Sequence, residues 1–332
     1  MKALLSRQPG GPEALELCDC PAPRPGRGEV LLRTQACGIN FPDALIVGDK
    51  YQVRPPRPFA PGSEITGIVA AVGEGVEGWQ VGDVAIALPG HGGLAEEVAV
   101  SAAQCFVVPK EADPVEGAAL LVTFGTALYA LRERGALCEN ETLLVLGAAG
   151  GVGLAAIGIG KLMGARVVAS VSGDDKAEIA RAAGADAIVI HSDDISGKEE
   201  TAHFTRLLKD AVGPEGAQVV LDPVGGSYCE PALRTMGWLG RYLVLGFAAS
   251  IPAPPLNLVL LKSCDIRGVF CGAFAEREPE KYRKIAMQVI EWWQAGHIRP
   301  RIDRTYPLER GGEALRRLAN REAMGKVVVT MA

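Results

Sequence analysis

The pattern of hydrophobic and polar positions changes about one third of the way along the chain. Up to about residue 110, short apolar or alternating segments are separated by proline and glycine, which is typical of a β-rich domain. From about Val115, apolar runs alternate with longer amphipathic segments, and this predicts strand and helix units around a parallel sheet. The predicted strands of these units are 142–147, 165–171, 187–190, 217–222 and 241–247, and the predicted helices are 151–164, 175–185 and 201–212.

Beyond Pro252 the pattern is mixed. It predicts a short helix at 256–263, a strand at IRGVF (266–270), an amphipathic helix at 280–296 and a terminal strand at 326–330. The pattern alone leaves open whether these elements extend the parallel sheet or fold back on the first domain.

Length and composition describe an ordinary globular protein, since 332 residues with 48% hydrophobic and 22% charged residues can build about two cores. The formal net charge is −5 and no dense run of lysine or arginine occurs, so nucleic acid is not an expected partner. The N-terminus lacks the apolar core of a secretory signal, and no uninterrupted apolar span reaches about 20 residues. We therefore expect a cytoplasmic protein without membrane insertion.

The eight cysteines are scattered, without C-x-x-C pairs or the cysteine and histidine spacing of a zinc module. Most are expected to be small buried hydrophobic residues. Cys18 and Cys20 form a C-x-C pair that could bind a soft metal or oxidise, but the alternation around them favours an ordinary strand.

A glycine-rich turn, VLGAAGGVGLAA, follows one predicted strand and opens a helix. Ala148, Gly150 and Gly153 occupy the three glycine positions of the G-x-G-x-x-G dinucleotide-binding motif. Gly150 would let the backbone approach a pyrophosphate, and Gly153 would let the helix pack on the strand. The N–H groups at the helix start, at Gly151 and Val152, carry partial positive charge. The turn therefore predicts a nucleotide site, although a tight turn without a ligand has a similar sequence.

The end of the second predicted strand bears on which nicotinamide cofactor is bound. An NAD enzyme places an acidic residue there for the ribose 2′-hydroxyl, whereas this chain has Ser170 and Ser172, with Lys176 just beyond. Hydroxyls and a cation suit a 2′-phosphate, which predicts NADPH. Asp174 and Asp175 would oppose this if they pointed inward, and the alternative role of Lys176 is a solvated residue in the first turn of a helix.

A set of motifs runs through almost the whole chain. Its members are ACGINFPDAL (36–45), PFAPGSEITGIVAAVG (58–73), VGDVAIAL (81–88), GGLAEEVAV (92–100), VTFGTALYAL (122–131), AAGGVG (148–153), DPVGG (222–226) and GKVVV (325–329). With these motifs the chain resembles the zinc-independent quinone oxidoreductase branch, which includes zeta-crystallin, of the medium-chain dehydrogenase/reductase superfamily.

The resemblance implies an α/β fold in which a Rossmann domain with a doubly wound parallel sheet interrupts a GroES-like, β-rich catalytic domain. It assigns 1–121 to the first part of the catalytic domain, 122–261 to the Rossmann domain and 262–332 to the return of the chain to the catalytic domain. Homodimers formed through the edge of the Rossmann sheet are common in this family, and IRGVF is the candidate edge strand.

The resemblance also implies chemistry without a metal. At the positions where related alcohol dehydrogenases carry a cysteine and a histidine that bind zinc, this chain has Asn40 and Ser63, which are poor zinc ligands. Cys37, Glu64 and His91 remain nearby in sequence but are expected to be structural. A zinc-free member would transfer a hydride from NADPH to a quinone. The alternatives are an activated alkene, meaning a 2-alkenal or enone, or an NADPH-binding protein without turnover.

For catalysis, the family places polar residues at the positions of Asn40 and Tyr51, which are therefore expected in the substrate pocket. Tyr51 could donate a proton or hydrogen bond, and its alternative role is stacking or a place at the pocket rim. Asn40 could instead only fix a turn before Phe41.

Further cofactor contacts follow from the resemblance, each with an alternative structural role. Thr126 is expected at the nicotinamide ribose, or else bonds its own helix backbone. His191 is expected near the adenosine phosphate and Lys326 near the cofactor, or else both are surface residues. The residues expected to flank the nicotinamide are Gly246, Phe247 and Phe270.

Overall fold

A computed structural model describes residues 1–192, 195 and 197–331. In chain order the strands are β1 (Lys2–Ser6), β2 (Leu15–Asp19), β3 (Glu29–Ile39), β4 (Glu64–Val72), β5 (Val84–Ala87), β6 (Glu97–Ser101), β7 (Cys105–Val108), β8 (Thr142–Val145), β9 (Arg166–Val171), β10 (Ala187–Ile190), β11 (Ala217–Asp222), β12 (Met236–Val244), β13 (Asp265–Gly268), β14 (Ile302–Pro307) and β15 (Lys326–Thr330).

The α-helices in chain order are α1 (Phe41–Val47), α2 (Pro114–Gly117), α3 (Thr126–Leu128), α4 (Gly151–Leu162), α5 (Asp174–Ala182), α6 (Lys198–Val212), α7 (Cys229–Thr235), α8 (Leu256–Lys262), α9 (Cys271–Arg277), α10 (Pro279–Gln294) and α11 (Gly311–Ala319). Two π-helical turns, Leu121–Gly125 and Tyr129–Arg134, flank α3. Short 3₁₀ turns lie at Pro12–Ala14, Ala102–Gln104, Gly226–Tyr228 and Leu308–Arg310.

The chain divides into two compact units, one formed by residues 1–122 and 299–332 and the other by residues 123–298. The first unit holds a sheet in the order β14-β15-β3-β4-β5-β7, with β6 also paired to β3. Alternating residues of β3 point into its core, and Val30 and Leu32 are fully buried there. The last strand, β15, pairs antiparallel with β3 and sets Val327 beside Ile39.

The second unit holds a six-stranded parallel sheet in the order β10-β9-β8-β11-β12-β13. In the unit's own numbering this is the order 3-2-1-4-5-6 of a dinucleotide-binding sheet. All four residues of β8 are buried, as expected for a central strand covered on both faces. The predicted α/β fold, with one β-rich unit and one parallel-sheet unit, is confirmed.

The second predicted domain boundary differs from the structure. Residues 262–298 were expected in the catalytic domain but lie in the parallel-sheet unit. The reason is β13, which pairs with β12 from Arg241 opposite Asp265 to Val244 opposite Gly268 and so extends the sheet by one strand. The first boundary, expected between residues 121 and 122, lies between residues 122 and 123.

One helical run, Pro114–Arg134, has the length and mean hydropathy that a membrane-spanning helix needs. The run contains Glu116, Arg132, Glu133 and Arg134, so it is not the uninterrupted apolar span considered in the sequence, and the absence of membrane insertion stays a prediction. Of the most apolar window of the run, 67% is buried inside the protein, and a buried core helix meets the same criteria. The run is accordingly weak support for membrane insertion.

Candidate functional site

The glycine-rich turn joins β8 to α4 at the carboxyl edge of the parallel sheet. Gly150 is the residue before α4, with an extended backbone (φ −77°, ψ 168°) and no side-chain cap. The first hydrogen bond of the helix runs from Leu154 N to Gly150 O at 2.9 Å. The amides of Gly151 and Val152 therefore stand at the positive end of the helix, ahead of its hydrogen-bond ladder. Such amides can bind a phosphate oxygen, and their contact with the cofactor stays a prediction.

Two other glycines set the shape of this turn. Gly147, just before Ala148, has a φ of +57°, a left-handed conformation that glycine adopts without strain. A Cβ on Gly153 would lie 2.5 Å from the carbonyl oxygen of Gly147 and 2.7 Å from Cα of Ala148. Gly153 thus lets α4 pack directly on the turn, as predicted, and Gly147 is a residue that the motif alignment missed.

Ser172 and Lys176 lie together after β9, where Lys176 Nζ donates to Ser172 Oγ at 2.8 Å. Ser170, which was expected beside them, is instead fully buried, because it lies within β9 and both faces of that strand are covered. Asp174 and Asp175 are exposed in the first turn of α5, where their charge suits the helix N-terminus. The pair that remains for a 2′-phosphate is therefore Ser172 with Lys176.

His191 follows β10 at the same edge of the sheet and is held by aromatic neighbours. Its ring lies edge-on to Phe204 and Tyr228, with centroids 4.9 and 5.1 Å away, and its Nδ1 lies 2.7 Å from the carbonyl oxygen of Ser192. His191 is thus a half-buried loop residue in an aromatic cluster, and its contact with the adenosine phosphate stays a prediction.

Asp222, at the end of β11, ties the neighbouring loops to the sheet. Its Oδ2 accepts from the Tyr242 hydroxyl at 2.5 Å, and its Oδ1 accepts from the amides of Val224 and Gly225, each at 2.8 Å. Burial is the main cause that raises the pKa of this carboxyl. Its backbone oxygen also accepts from Gly246 N at 3.4 Å. Asp222 was noted only as part of a motif, and its role depends on Tyr242, 20 residues away in sequence.

The residues expected to flank a nicotinamide lie in the loops after β12 and β13. Phe247 follows Gly246, and Phe270 immediately precedes α9; both rings are exposed. Thr126 lies at the start of α3, beside the thiol of Cys271, and its predicted contact with the nicotinamide ribose stays a prediction. Burial raises the pKa of the Cys271 thiol to about 11.

In the β-rich unit, Asn40, Glu64 and Lys326 form a closed buried cluster. Lys326 Nζ lies 2.7 Å from Asn40 Oδ1 and 3.0 Å from Glu64 Oε2. Asn40 Nδ2 donates to Glu64 Oε2 and to the carbonyl oxygen of Gly38, both at 3.2 Å. Lys326 is only 4% exposed, so its alternative role as a surface residue is wrong. The proposed contact of Lys326 with the cofactor stays a prediction.

Asn40 also begins α1, as its alternative role as a turn residue required. Asn40 N donates to Asp43 Oδ2 at 2.7 Å, and the Asn40 side chain accepts from the Asp43 backbone, which is a capping box. Gly62 N donates to the other carboxylate oxygen of Asp43 at 3.3 Å. Asp43 is fully buried, and burial raises its pKa to about 6, although the hydrogen bonds from these donors lower the pKa. Both hydrogens of the Asn40 amide nitrogen have partners in the unit.

Tyr51 lies in the bend after α1 and is half-buried. The turn before it is held by Lys50 N, which donates to Leu45 O at 2.9 Å. Arg57 binds the same end of the helix through Val47 O at 2.9 Å and Asp49 Oδ1 at 2.8 Å. The position of Tyr51 is therefore set by α1 and by its C-terminal turn.

The residues weighed as metal ligands have other neighbours. The Cys37 sulfur is so close to the glycines at 62 and 93 that a Cβ on either would lie within 2.8 Å of it. His91 lies edge-on to Phe59 at 6.0 Å, and burial lowers its pKa. Glu64 is paired with Lys326. Within the ranges described, no three histidine, cysteine or acidic residues form a group that could hold a metal ion.

Two family models match the chain. The model of the alcohol dehydrogenase GroES-like domain matches residues 26–110, and that of zinc-binding dehydrogenases matches residues 151–292. Quinone oxidoreductase-like protein 2 of Bos taurus is 35% identical over 312 residues, which cover 93% of this chain and 87% of that protein. The chain belongs to the medium-chain dehydrogenase/reductase superfamily, among its quinone oxidoreductase-like proteins.

Solved structures of similar oxidoreductases have the same fold. That of mycobacterial Rv1454c complexed with NADPH has a TM-score of 0.91 at 28% identity and covers 99% of this chain and 100% of its own. That of CurK enoyl reductase has a TM-score of 0.87 at 26% identity and covers 100% and 99%. This medium-chain dehydrogenase/reductase is thus an oxidoreductase.

Proposed function

We propose that this protein is an NADPH-dependent reductase that transfers a hydride to a quinone without zinc. The observation that carries the proposal is the hydrogen-bonded pair of Lys176 and Ser172 at the carboxyl end of β9. A cation and a hydroxyl there favour a 2′-phosphate, because a charge-assisted hydrogen bond is stronger than a neutral one. The similar mycobacterial protein that is complexed with NADPH supports the same cofactor.

The residues at the parallel-sheet edge fit a dinucleotide. Gly150, Gly151 and Val152 offer backbone amides at the start of α4, and a pyrophosphate matches them in charge and size. Phe247 and Phe270 offer exposed rings to the nicotinamide end. Thr126, His191 and Gly246 complete the proposed contacts. Bound NADPH supplies the hydride, and these residues bind and orient it.

The donor set in the β-rich unit favours chemistry without zinc. Where related dehydrogenases carry zinc ligands, the chain has an amide at Asn40 and a hydroxyl at Ser63, and neither is a strong zinc ligand. In addition, the ammonium of Lys326 lies within 3.0 Å of both Asn40 and Glu64, so a positive charge already neutralises this carboxylate. A second cation at the same oxygens would be repelled.

A conjugated acceptor is the substrate that such a site can reduce, because its own electrophilicity replaces that of a metal-bound carbonyl. The proposed acceptor is a quinone, with Tyr51 offering a hydrogen bond or proton to the oxygen that gains charge. Asn40 is proposed to line the pocket, and its amide hydrogens are directed at Gly38 and Glu64. Reduction of an activated alkene is the second candidate, since the similar CurK protein is an enoyl reductase.

An acceptor survey tests the proposal. The purified protein is treated with a chelator, and NADPH oxidation is followed with an ortho-quinone, with a 2-alkenal and with a cyclic enone in parallel. We expect the quinone to give the highest kcat/KM. Faster turnover of the alkenal or enone would assign the protein to the alkene reductases. Tight NADPH binding without turnover of any acceptor would make it an NADPH-binding protein without this activity.

The sheet edge at β13 supports a homodimer as the working assembly. β13 is the last strand of its sheet, so one of its edges has no strand beside it within the described residues. Trp238 in the paired strand β12 and Leu260 in α8, just before β13, are 68% and 79% exposed, so large apolar side chains accompany this edge. A second copy that adds its own β13 would cover such an edge by twofold symmetry.

We propose a cytoplasmic location, in keeping with a small-molecule reductase.

Sedimentation analysis tests the dimer. The double change Leu260→Asp and Leu261→Asp places two charges on exposed positions of α8, and we expect it to shift the protein to the monomer. Val81→Asp is the matched control, because Val81 is equally exposed but lies in the β-rich unit. A wild-type protein that sediments as a monomer would contradict the assembly.

A further inference from the structure

Lys326 and Glu64 are an ion pair with almost no access to solvent. Their side chains are 4% and 0% exposed, and Nζ lies 3.0 Å from Oε2. Burying two charges costs desolvation that their attraction only partly returns, so an apolar pair would fill the same space at lower cost. Stability therefore does not explain the Lys326–Glu64 pair, and we look for its role in the neighbouring side chain of Asn40.

The pair fixes the Asn40 side chain in one orientation. The ammonium of Lys326 approaches Oδ1 at 2.7 Å, which an ammonium cannot do to the NH₂ end of an amide. Glu64 Oε2 accepts from the NH₂ end at 3.2 Å. The cation and the anion thus contact opposite ends of the Asn40 amide. A 180° flip of this amide would replace both hydrogen bonds with repulsive contacts. The second oxygen of Glu64 accepts from Val122 N at 2.8 Å, which holds the carboxylate itself in place.

The orientation of Asn40 bears on the position of α1, because Asn40 is the N-cap residue immediately before that helix. Its backbone N–H and side chain are both engaged with Asp43 in the first turn. At the other end, the turn closed by Lys50 N and Leu45 O leads directly into Tyr51. The seven-residue helix α1 and the turn that follows it therefore connect the ion pair to the proposed proton donor.

We propose that Lys326 and Glu64 are positioning residues that set Asn40 and, through α1, Tyr51 for reduction of the acceptor. The inference rests on the proposed function for its effect on turnover. It assigns the Lys326 ammonium to the protein cluster, in place of the contact with the cofactor predicted from the sequence. Loss of the pair should therefore slow the chemical step and leave the affinity for NADPH unchanged.

Kinetics of Lys326→Met and Lys326→Arg test the assignment. Small misplacements of a catalytic group can cost about 100-fold in rate, so we expect kcat of Lys326→Met to fall by roughly 10- to 100-fold. The Kd for NADPH should stay within about twofold, and Lys326→Arg, which keeps the charge, should recover part of kcat. A Kd for NADPH that weakens in step with kcat would overturn the proposal and make Lys326 a cofactor contact.

A double variant guards against misfolding caused by an unpaired buried charge. Lys326→Met combined with Glu64→Met removes both charges at similar volume, and we expect it to fold and to remain slow. A folded double variant with wild-type kcat would overturn the proposal. Lys2→Met is the matched control, because Lys2 forms an exposed ion pair with Glu309 in the same unit and should leave kcat unchanged.

Hydrogen exchange separates this inference from the proposed function, because it needs no turnover. In the double variant we expect faster amide exchange across α1 and the turn up to Tyr51, with no change across α4. Unchanged exchange across α1 would overturn the positioning role even if the enzyme is active. Faster exchange across α1 in a protein that reduces no acceptor would leave the positioning role standing and remove the proposed function.

Discussion

Lys176 Nζ donates a hydrogen bond to Ser172 Oγ at 2.8 Å, across the loop where β9 leads into α5. The bond uses one of the three donors of the ammonium, so two can bind another acceptor. Ser172 holds the lysine close to the end of the strand, where the ribose of a dinucleotide lies in sheets of this type. This relationship is the basis for the cofactor preference.

Lys176→Ala should weaken NADPH binding and leave NADH binding nearly unchanged. The lost interaction is one charge-assisted hydrogen bond of about 1.5 to 3 kcal/mol, which corresponds to roughly 10- to 100-fold in Kd. Fluorescence titration with each nucleotide measures the two constants. Lys284→Ala, an exposed lysine on α10, is the control. Equal weakening of both nucleotides would remove the basis for the preference.

Gly153→Ala should destabilise the protein and abolish tight nucleotide binding. Its Cβ would lie 2.5 Å from the Gly147 carbonyl oxygen, so the helix start or the turn must shift, at a cost of about 1–3 kcal/mol. Gly158→Ala in the same helix is a matched control, because its Cβ would meet no atom within 4 Å. We expect Gly158→Ala to gain about 0.5–1 kcal/mol from helix propensity. Denaturant unfolding measures both changes, and equal effects would contradict this account of the turn.

Tyr51→Phe should lower kcat and leave the Kd for NADPH unchanged. If the hydroxyl donates a proton to the acceptor, the loss is about 10²- to 10⁴-fold. Tyr306→Phe, in β14 of the same unit, controls for removal of a phenol hydroxyl elsewhere. Stopped-flow measurement of a single turnover isolates the chemical step. An unchanged rate would assign Tyr51 to packing or stacking.

Asp43 makes stability depend on pH in a direction opposite to that of most carboxylates. Its pKa in the folded protein is about 6, above the ordinary value of 3.8, because burial penalises its charged form. Between these two values the folded state binds the proton and the unfolded state does not, so the free energy of unfolding falls as pH rises. The contribution of Asp43 is fully present below about pH 4 and lost above about pH 6, and amounts to about 3 kcal/mol.

Asp43→Asn should remove this contribution. Urea unfolding of the wild type and the variant between pH 4 and 7 measures it, and the expected result is a wild-type stability that falls relative to the variant as pH rises. Asp303→Asn is a control carboxylate in the same unit, paired with Arg317. Parallel curves for wild type and Asp43→Asn would show that Asp43 titrates in the same range in both states.

The parallel-sheet unit could be predicted well because fully buried strands are continuous apolar runs. β10 and β11 were predicted at residues 187–190 and 217–222, where they lie. β12 starts at Met236, five residues before the predicted start at residue 241. The prediction missed the first half of the strand because that half contains exposed Trp238 and pairs irregularly with β11. Such a segment has no apolar pattern to detect.

Contacts between residues far apart in the chain could not be predicted from the sequence. Lys326 and Asn40 are 286 residues apart, and only the pairing of β15 with β3 brings them together, so no local pattern could indicate their hydrogen bond. Similarly, Ser170 and Ser172 were both predicted at the end of the strand, but Ser170 lies within β9, where five consecutive residues are buried, and Ser172 lies beyond the last strand residue, Val171. Motifs located the cofactor edge, and tertiary packing decided which polar side chains remain available there.

Steady-state oxidation of NADPH and of NADH by chelator-treated protein, with an ortho-quinone as acceptor, tests the central claim most directly. The account predicts turnover that chelation does not diminish, with kcat/KM for NADPH roughly 10- to 100-fold above that for NADH. Turnover that chelation abolishes and zinc restores would contradict the metal-free mechanism. Equal use of the two nucleotides would contradict the role given to Lys176.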